Sequence, residues 1–183
     1  MTLIHDAEIG HLARTQALIE PYDDTLVQPA SIDVRLCHSL LVASRAQVTL
    51  DPKVDSGHRF DTYDMETFGS FDVHPGDLVL GSTVEKINLP AHIAARFEGK
   101  SSLGRLGLMT HVTAGFIDPG FSGNITVEIA TASRHRIRLR PGMLIGQICF
   151  YRMSHSSVFP YGSEVRGSHY QNQAGPRASR SHQ

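Results

Sequence analysis

From Ser31 onward the chain keeps meeting residue pairs that end a strand. Short runs rich in Val, Ile, Leu and Thr are broken at Asp51-Pro52, Pro75-Gly76, Pro119-Gly120, Ser122-Gly123 and Pro141-Gly142. Proline cannot donate to a ladder and glycine supplies turn conformations, so this rhythm excludes long helices and predicts a mainly β fold, an antiparallel β barrel or jelly roll. Before it, Ile9, Leu12, Ala13 and Leu18 recur at helical spacing from Asp6 to Ile19, which predicts one short N-terminal helix ended by Pro21.

Two segments break the pattern. Asp51 to Asp72 is polar, with Lys53, Asp55, Ser56, Gly57, His58 and Arg59, and reads as a long loop or ribbon. After Tyr161 the composition turns to Gly, Ser, Arg and Gln, with scattered apolar residues such as Val165 and Tyr170. Such a tail cannot order itself by burial alone; it is disordered, or it folds over a ligand or a neighbouring subunit. With 183 residues, the chain reads as a single domain, 1–183, in which 162–183 is a mobile tail.

Charge narrows the function classes. Lys plus Arg total 17 against 18 Asp plus Glu, so no bulk charge draws the protein to nucleic acid or an anionic membrane, and any bound anion must meet a local cluster. Cys37 and Cys149 both sit in apolar runs, and neither a secretory segment nor a run of about 18 apolar residues appears. The expectation is a cytoplasmic protein with buried thiols.

Three stretches carry candidate chemistry. In Asn124 to Ala130, alternation puts Ile125, Val127 and Ile129 on one face and Thr126 and Glu128 on the other. Glu128 is then either a solvated strand carboxylate or one held in a cavity, where it can shuttle protons. Glu98 to Arg105 gathers Lys100, Arg105, Ser101, Ser102 and two glycines, which suits an anion such as a triphosphate. It is not a P-loop, and a helix capped by Ser101 or Ser102 with ordinary surface cations explains it equally well. In Ala114 to Gly123, Asp118 before Pro119-Gly120 either orients a hydroxyl or a water, or merely initiates the turn with its side chain. The 11 histidines invite a metal site, but the zinc-deaminase signature is absent, as are His-Glu-x-x-His and Cys-x-x-Cys. Hydrolysis is expected to use water activated by a carboxylate, with no zinc.

Together these three stretches resemble the dCTP deaminases, relatives of the trimeric dUTPases. Further matches, in collinear order, are Gln28 to Arg35, His74-Pro75-Gly76, Pro141 to Gln147, and Tyr170 to Pro176. The resemblance implies a dUTPase-like distorted barrel, a homotrimer with shared active sites, and a tail that closes over them. It implies that Glu128 activates water for attack at C4 of cytosine and protonates the leaving amine, with Ser101 and the backbone near Ala114 holding the water. Nucleotide contacts fall by the same match to Lys100, Ser102, Leu103, Gly104, Arg105, Thr126, Val127, Gln147, Tyr161 and Gln173. Asp118 is assigned to the deoxyribose and to the water that attacks the α-phosphate. Mg²⁺ is expected on the triphosphate itself, and dTTP as a feedback inhibitor acting around His111 to Ala114.

Gly115-Phe116 and Gln147 resemble the branch that forms dUMP; deaminases releasing dUTP tend to carry His-Arg at 115–116. Glycine at 115 is read as leaving room for a second, nucleophilic water. One position departs from the family: His169 stands where Lys or Arg is usual, so that if it meets phosphate, binding weakens at alkaline pH and His169→Lys lowers KM. Residues 37–70 match poorly. Four alternatives remain: a monofunctional dCTP deaminase releasing dUTP, a dUTPase without deaminase activity, a silent nucleotide-binding regulator, and an unrelated β-barrel binder.

Overall fold

In the computed structural model, residues 1–44, 49–51, 60–165 and 168–180 are described. The helix Asp6–Gln16 buries Ile9, Leu12 and Ala13, and carries Asp6 and Glu8 in its first turn and Arg14 in its last, as the helix dipole favours. Pro21 is not what ends it. Ala17 turns left-handed at φ 50, and Ile19–Glu20 leaves to pair with the strand Val79–Asn88, so the helix stops short of the expected Ile19.

The β expectation holds, but among the described residues the strands close no barrel. Two six-stranded sheets form, in the manner of a jelly roll. The first runs Phe116–Ile117, Ile93–Gly99, Leu144–Arg152, Ser31–Arg35, Val27–Gln28, with Thr2–Leu3 also on Leu144–Arg152. The second runs Leu108–Met109, Ser122–Thr131, Val79–Asn88, Ser39–Ala43, Phe60–Asp64, with Ile19–Glu20 also on Val79–Asn88. A bridge between Leu36 and Thr83 links the sheets, and both bury their apolar faces in one core that includes Phe97, Phe150, Ile87 and Ile129. Among the described residues no helix is long and apolar enough to cross a membrane.

One irregularity sets up the site. Where Ser122–Thr131 pairs with Val79–Asn88, the register shifts between Asn124 and Thr126. The Asn124 side-chain amide donates to the carbonyls of Thr83, Val84 and Glu85, and the Thr83 hydroxyl accepts from the Ile125 N–H at 2.9 Å, so side chains satisfy the backbone groups the bulge frees.

Of the two readings of the polar segment, its described second half favours the ribbon. Phe60–Asp64 is a strand on Ser39–Ala43, Asp64 caps the short helix Met65–Phe68, and Phe71–Val73 pairs with Ile137–Leu139. Residues 52–59, with Lys53 to Arg59, lie outside the described residues. The cysteines are also less enclosed than expected: both are half-buried and free. Burial, and then the Glu98 charge, pushes the Cys149 thiol above its ordinary range.

Of the tail, residues 166–167 and 181–183 lie outside the described residues. The rest runs along the chain's own strand. Gln173 bridges Gly123 in parallel, the Asn172 N–H donates to Ser122 O at 2.7 Å, and the Asn124 N–H donates to Gln173 O at 3.1 Å. Hydrogen bonds to a strand edge order what hydrophobic burial could not. At the start of the tail, Gly120 has φ 92, and a Cβ there would stand 2.7 Å from Tyr161 O, so the Pro119-Gly120 turn and Tyr161 pack closely only with glycine.

Candidate active site

Between the strand Ser122–Thr131, the segment 111–118 and the tail lies a cavity of about 610 Å³, a size suited to one small ligand. Strand alternation puts Ile125, Val127 and Ile129 in the core and turns Thr126 and Glu128 outward to this cavity. The solvated-strand reading of Glu128 therefore gives way to the cavity reading. Its Oε2 accepts the Val112 N–H at 3.1 Å, which fixes the carboxylate against the 111–118 segment.

Asp118 also lines the cavity. Its turn is closed by the backbone, the Phe121 N–H donating to Asp118 O at 3.2 Å, while its carboxylate makes no hydrogen bond among the described residues. A side chain holding its own turn would be engaged; this one is free for a ligand. The wall is apolar, with Phe97, Phe121 and the exposed Phe116. Gly115 holds that wall together. The Phe97 N–H donates to its carbonyl at 2.8 Å, and a Cβ would meet Phe97 O at 2.7 Å and the His111 ring at 3.2 Å. A side chain at 115 would therefore crowd the neighbouring strand and His111, so close packing by itself calls for glycine here.

From the tail, Tyr161 packs on Phe121 with ring centroids 5.7 Å apart, and its hydroxyl accepts from the Tyr170 N–H at 2.9 Å, which leaves its own proton to donate. Gln173 donates from Nε2 to Asn124 O at 2.6 Å, while its Oε1 is buried without a partner among the described residues. An unpaired buried acceptor suits a donor, such as an amino or hydroxyl group of a ligand. Thr126 Oγ1 accepts from the Arg177 N–H at 3.2 Å.

The other expected nucleotide contacts stand elsewhere. Lys100, Ser101, Ser102, Leu103, Gly104, Arg105 and Gln147 do not line this cavity, and Val127 points its side chain into the core. Ser101–Gly104 forms a short helical turn whose N-cap is Lys100, with no side-chain cap, so neither serine caps it. Leu103 packs on the core. Lys100 reaches back to the buried Asp33 at 2.7 Å, beside Gln147, whose Oε1 accepts from Ser31 Oγ at 2.8 Å. His169 is exposed and off the cavity, its ring 6.2 Å from that of Tyr170. Arg177, which lines the cavity, and the Val112 N–H were not foreseen; an arginine just past Gly175-Pro176, in a tail expected to close over the site, was the available signal.

Spacing patterns also missed one grouping of metal-ligating types. His38, Asp64 and Glu66 place ligand atoms within 4.8 Å of one another, away from the cavity. Asp64 is already engaged, accepting from the Glu66 N–H at 2.9 Å, and its hydrogen bond with His38 holds it below the usual carboxylate range.

The fold and the site define a mainly β protein with two carboxylates, Glu128 and Asp118, facing one cavity that the tail helps to line. A family model described as dCTP deaminase-like matches residues 3–153, and the chain belongs to that family. Proteins named dCTP deaminase, dUMP-forming, are similar over nearly the whole length. The one from Pseudarthrobacter chlorophenolicus is 48% identical over 182 residues, covering 98% of this chain and 95% of that protein. The one from Streptomyces avermitilis is 52% identical over 181 residues, again covering 98% and 95%. The crystal structure of 2'-deoxycytidine 5'-triphosphate deaminase from Agrobacterium tumefaciens matches with a TM-score of 0.67 at 26% identity, over 84% of this chain and 49% of that one, so this chain spans about half its length.

Proposed function

We propose that this chain hydrolyses dCTP twice, giving dUMP, ammonia and pyrophosphate. The observation that carries the reading is the pair Glu128 and Asp118 facing one cavity, in a chain about half identical to proteins named for dUMP formation. Glu128 takes a proton from water as its oxygen attacks C4 of cytosine, then returns a proton to the amine as ammonia leaves. Asp118 aligns a second water for attack at the α-phosphorus, and the P–O bond to pyrophosphate breaks. Tyr161 donates to phosphate oxygen, and the Gln173 Oε1 accepts from a sugar or base donor.

Lys100, Ser101, Ser102, Arg105 and Gln147, which do not line this chain's own cavity, serve the cavity of a second copy. That division supports a homotrimer with shared sites, and Leu106, Met109, Val112 and Phe116 are exposed apolar residues available for such contacts. Mg²⁺ would arrive on the triphosphate itself and would supply charge neutralisation there. The segment His111 to Ala114, which carries the Val112 contact to Glu128, is where dTTP inhibition would act. Acting on free deoxynucleotides, the enzyme works in the cytoplasm.

The test is incubation with dCTP and Mg²⁺ while dUTP, dUMP, ammonia and pyrophosphate are all quantified. Equal amounts of dUMP, ammonia and pyrophosphate are expected. Accumulating dUTP overturns the second hydrolysis, and absence of ammonia overturns the first.

A further inference from the structure

Away from the cavity, the chain carries a run of arginines that its own acids leave largely unanswered. No Asp or Glu occurs between Glu128 and Glu164, and Arg134, Arg136, Arg138 and Arg140 follow one another at every second position. Alternation in the strand Ile137–Leu139 turns Leu139 into the core and leaves Arg136, Arg138 and Arg140 exposed, with Arg134 and His135 exposed on the turn before it. Arg138 is answered by Asp72 at 2.6 Å, and Arg136 acts on Asp72 only through space. Among the described residues the guanidinium groups of Arg134, Arg136 and Arg140 have no ion-pair partner. In a chain whose 17 Lys plus Arg and 18 Asp plus Glu nearly cancel, this is a local concentration of positive charge.

The run begins beside the turn from Lys100 to Arg105. The Ala132 N–H donates to Gly107 O at 2.9 Å, and Gly107, at φ 90, lies so close that a Cβ on it would stand 2.9 Å from Ser133 N. That contact ties the loop before Ile137–Leu139 to the end of the turn, where Arg105 and Leu106 are exposed as well. Side chains give the loop its shape: the Ser133 N–H donates to Thr131 Oγ1 at 3.0 Å, and the His135 N–H donates to Ser133 Oγ at 3.1 Å. Arg134 and Arg136 thus stand on a shaped loop packed two residues beyond Arg105, and extend its positive charge outward. Neither they nor Arg105 line the cavity of their own chain.

We propose that Arg134 and Arg136 form a steering surface for a nucleoside triphosphate, drawing it from solution to the Lys100 to Arg105 turn without touching it once it is bound. The proposal rests on the reading of a dCTP site shared between copies, in which that turn serves a second copy's cavity. A triphosphate is the ligand such a surface fits, because its charge is multiple and concentrated. Clustered charges of one sign attract it over about a Debye length, about 10 Å at 0.1 M salt and about 30 Å at 0.01 M, so the effect belongs to the association rate and fades as salt rises.

The experiment uses the full chain, Arg134→Gln combined with Arg136→Gln, Arg134→Glu combined with Arg136→Glu, and Lys86→Gln. Lys86 is an exposed cation opposite Asn124 in register, towards the other end of the strand Ser122–Thr131 from the loop. Association and dissociation rates for dCTP are read by surface plasmon resonance at low and high salt, with kcat alongside. At about 0.01 M salt the double Gln variant binds dCTP about threefold or more slowly, the double Glu variant more slowly still, and the dissociation rate and kcat stay within about twofold of the parent. At about 0.5 M salt the association rates converge. An association rate unchanged at low salt overturns the proposal. So does a deficit that persists at high salt or appears in the dissociation rate, which marks direct contact or a structural role, and so does an equal loss in Lys86→Gln, which marks net charge alone. If the parent chain binds dCTP with this dependence but releases neither ammonia nor pyrophosphate, the catalytic reading fails and the steering surface stands; if it does not bind dCTP, both fail.

Discussion

Gly115 is fixed by its neighbours more tightly than by any chemistry of its own. A methyl group there would stand 2.7 Å from the Phe97 carbonyl, which belongs to a central strand and cannot easily retreat. Gly115→Ala is therefore expected to cost about 1–3 kcal/mol, seen as a fall of several degrees in Tm, and to reduce both hydrolyses together by shifting Phe116 and Ala114 at the cavity wall. Selective loss of pyrophosphate release at unchanged Tm would support the water-room reading instead. At this scale the sequence told much about Glu128 and Thr126, because strand alternation alone sets which way they face. It told little about Gln173, whose unpaired Oε1 arises only once Asn124 O has taken its amide.

Elements were legible where one face is clearly apolar. Ser122–Thr131 alternates between buried and half-buried along its whole length, whereas Phe60–Asp64 contributes no fully buried residue and carries two aspartates, so nothing in its pattern distinguishes it from a loop. The pairing of Phe71–Val73 with Ile137–Leu139 was hidden for a related reason: a cross-strand charge pair helps hold it. Arg138 donates from Nε to Asp72 Oδ1 at 2.6 Å and from a terminal nitrogen to Oδ2 at 2.8 Å, residues directly opposite in register. The Arg138 hydrogen bond holds the Asp72 carboxyl below the usual range. A depressed carboxylate pKa stabilises the fold above the unfolded value, near about 4, and that contribution is lost as pH falls through the folded one. Asp72→Asn is expected to lower Tm slightly at pH 7, with the gap from the parent closing as the buffer is taken below about pH 4. A gap that persists undiminished in acid would mean the pair contributes through packing alone.

Across the whole molecule, the collinear motifs gave the family and the β class, but not which motifs share a cavity. Glu128, Asp118 and Thr126 meet Tyr161, Gln173 and Arg177 because a bulged strand and a hydrogen-bonded tail run side by side, while Lys100 to Arg105 and Gln147 fall on another surface. That separation is a property of how strands distribute between the sheets, and no local spacing encodes it. In the proposed function one cavity performs two hydrolyses with different carboxylates. Its most direct test is Glu128→Gln, whose amide oxygen can still accept the Val112 N–H, assayed in parallel for ammonia from dCTP and pyrophosphate from dUTP. General acid–base catalysis supplies about 10²–10⁴-fold, so ammonia release should fall by about that factor while dUTP cleavage is at least partly retained. Ammonia release at the parent rate would contradict the account.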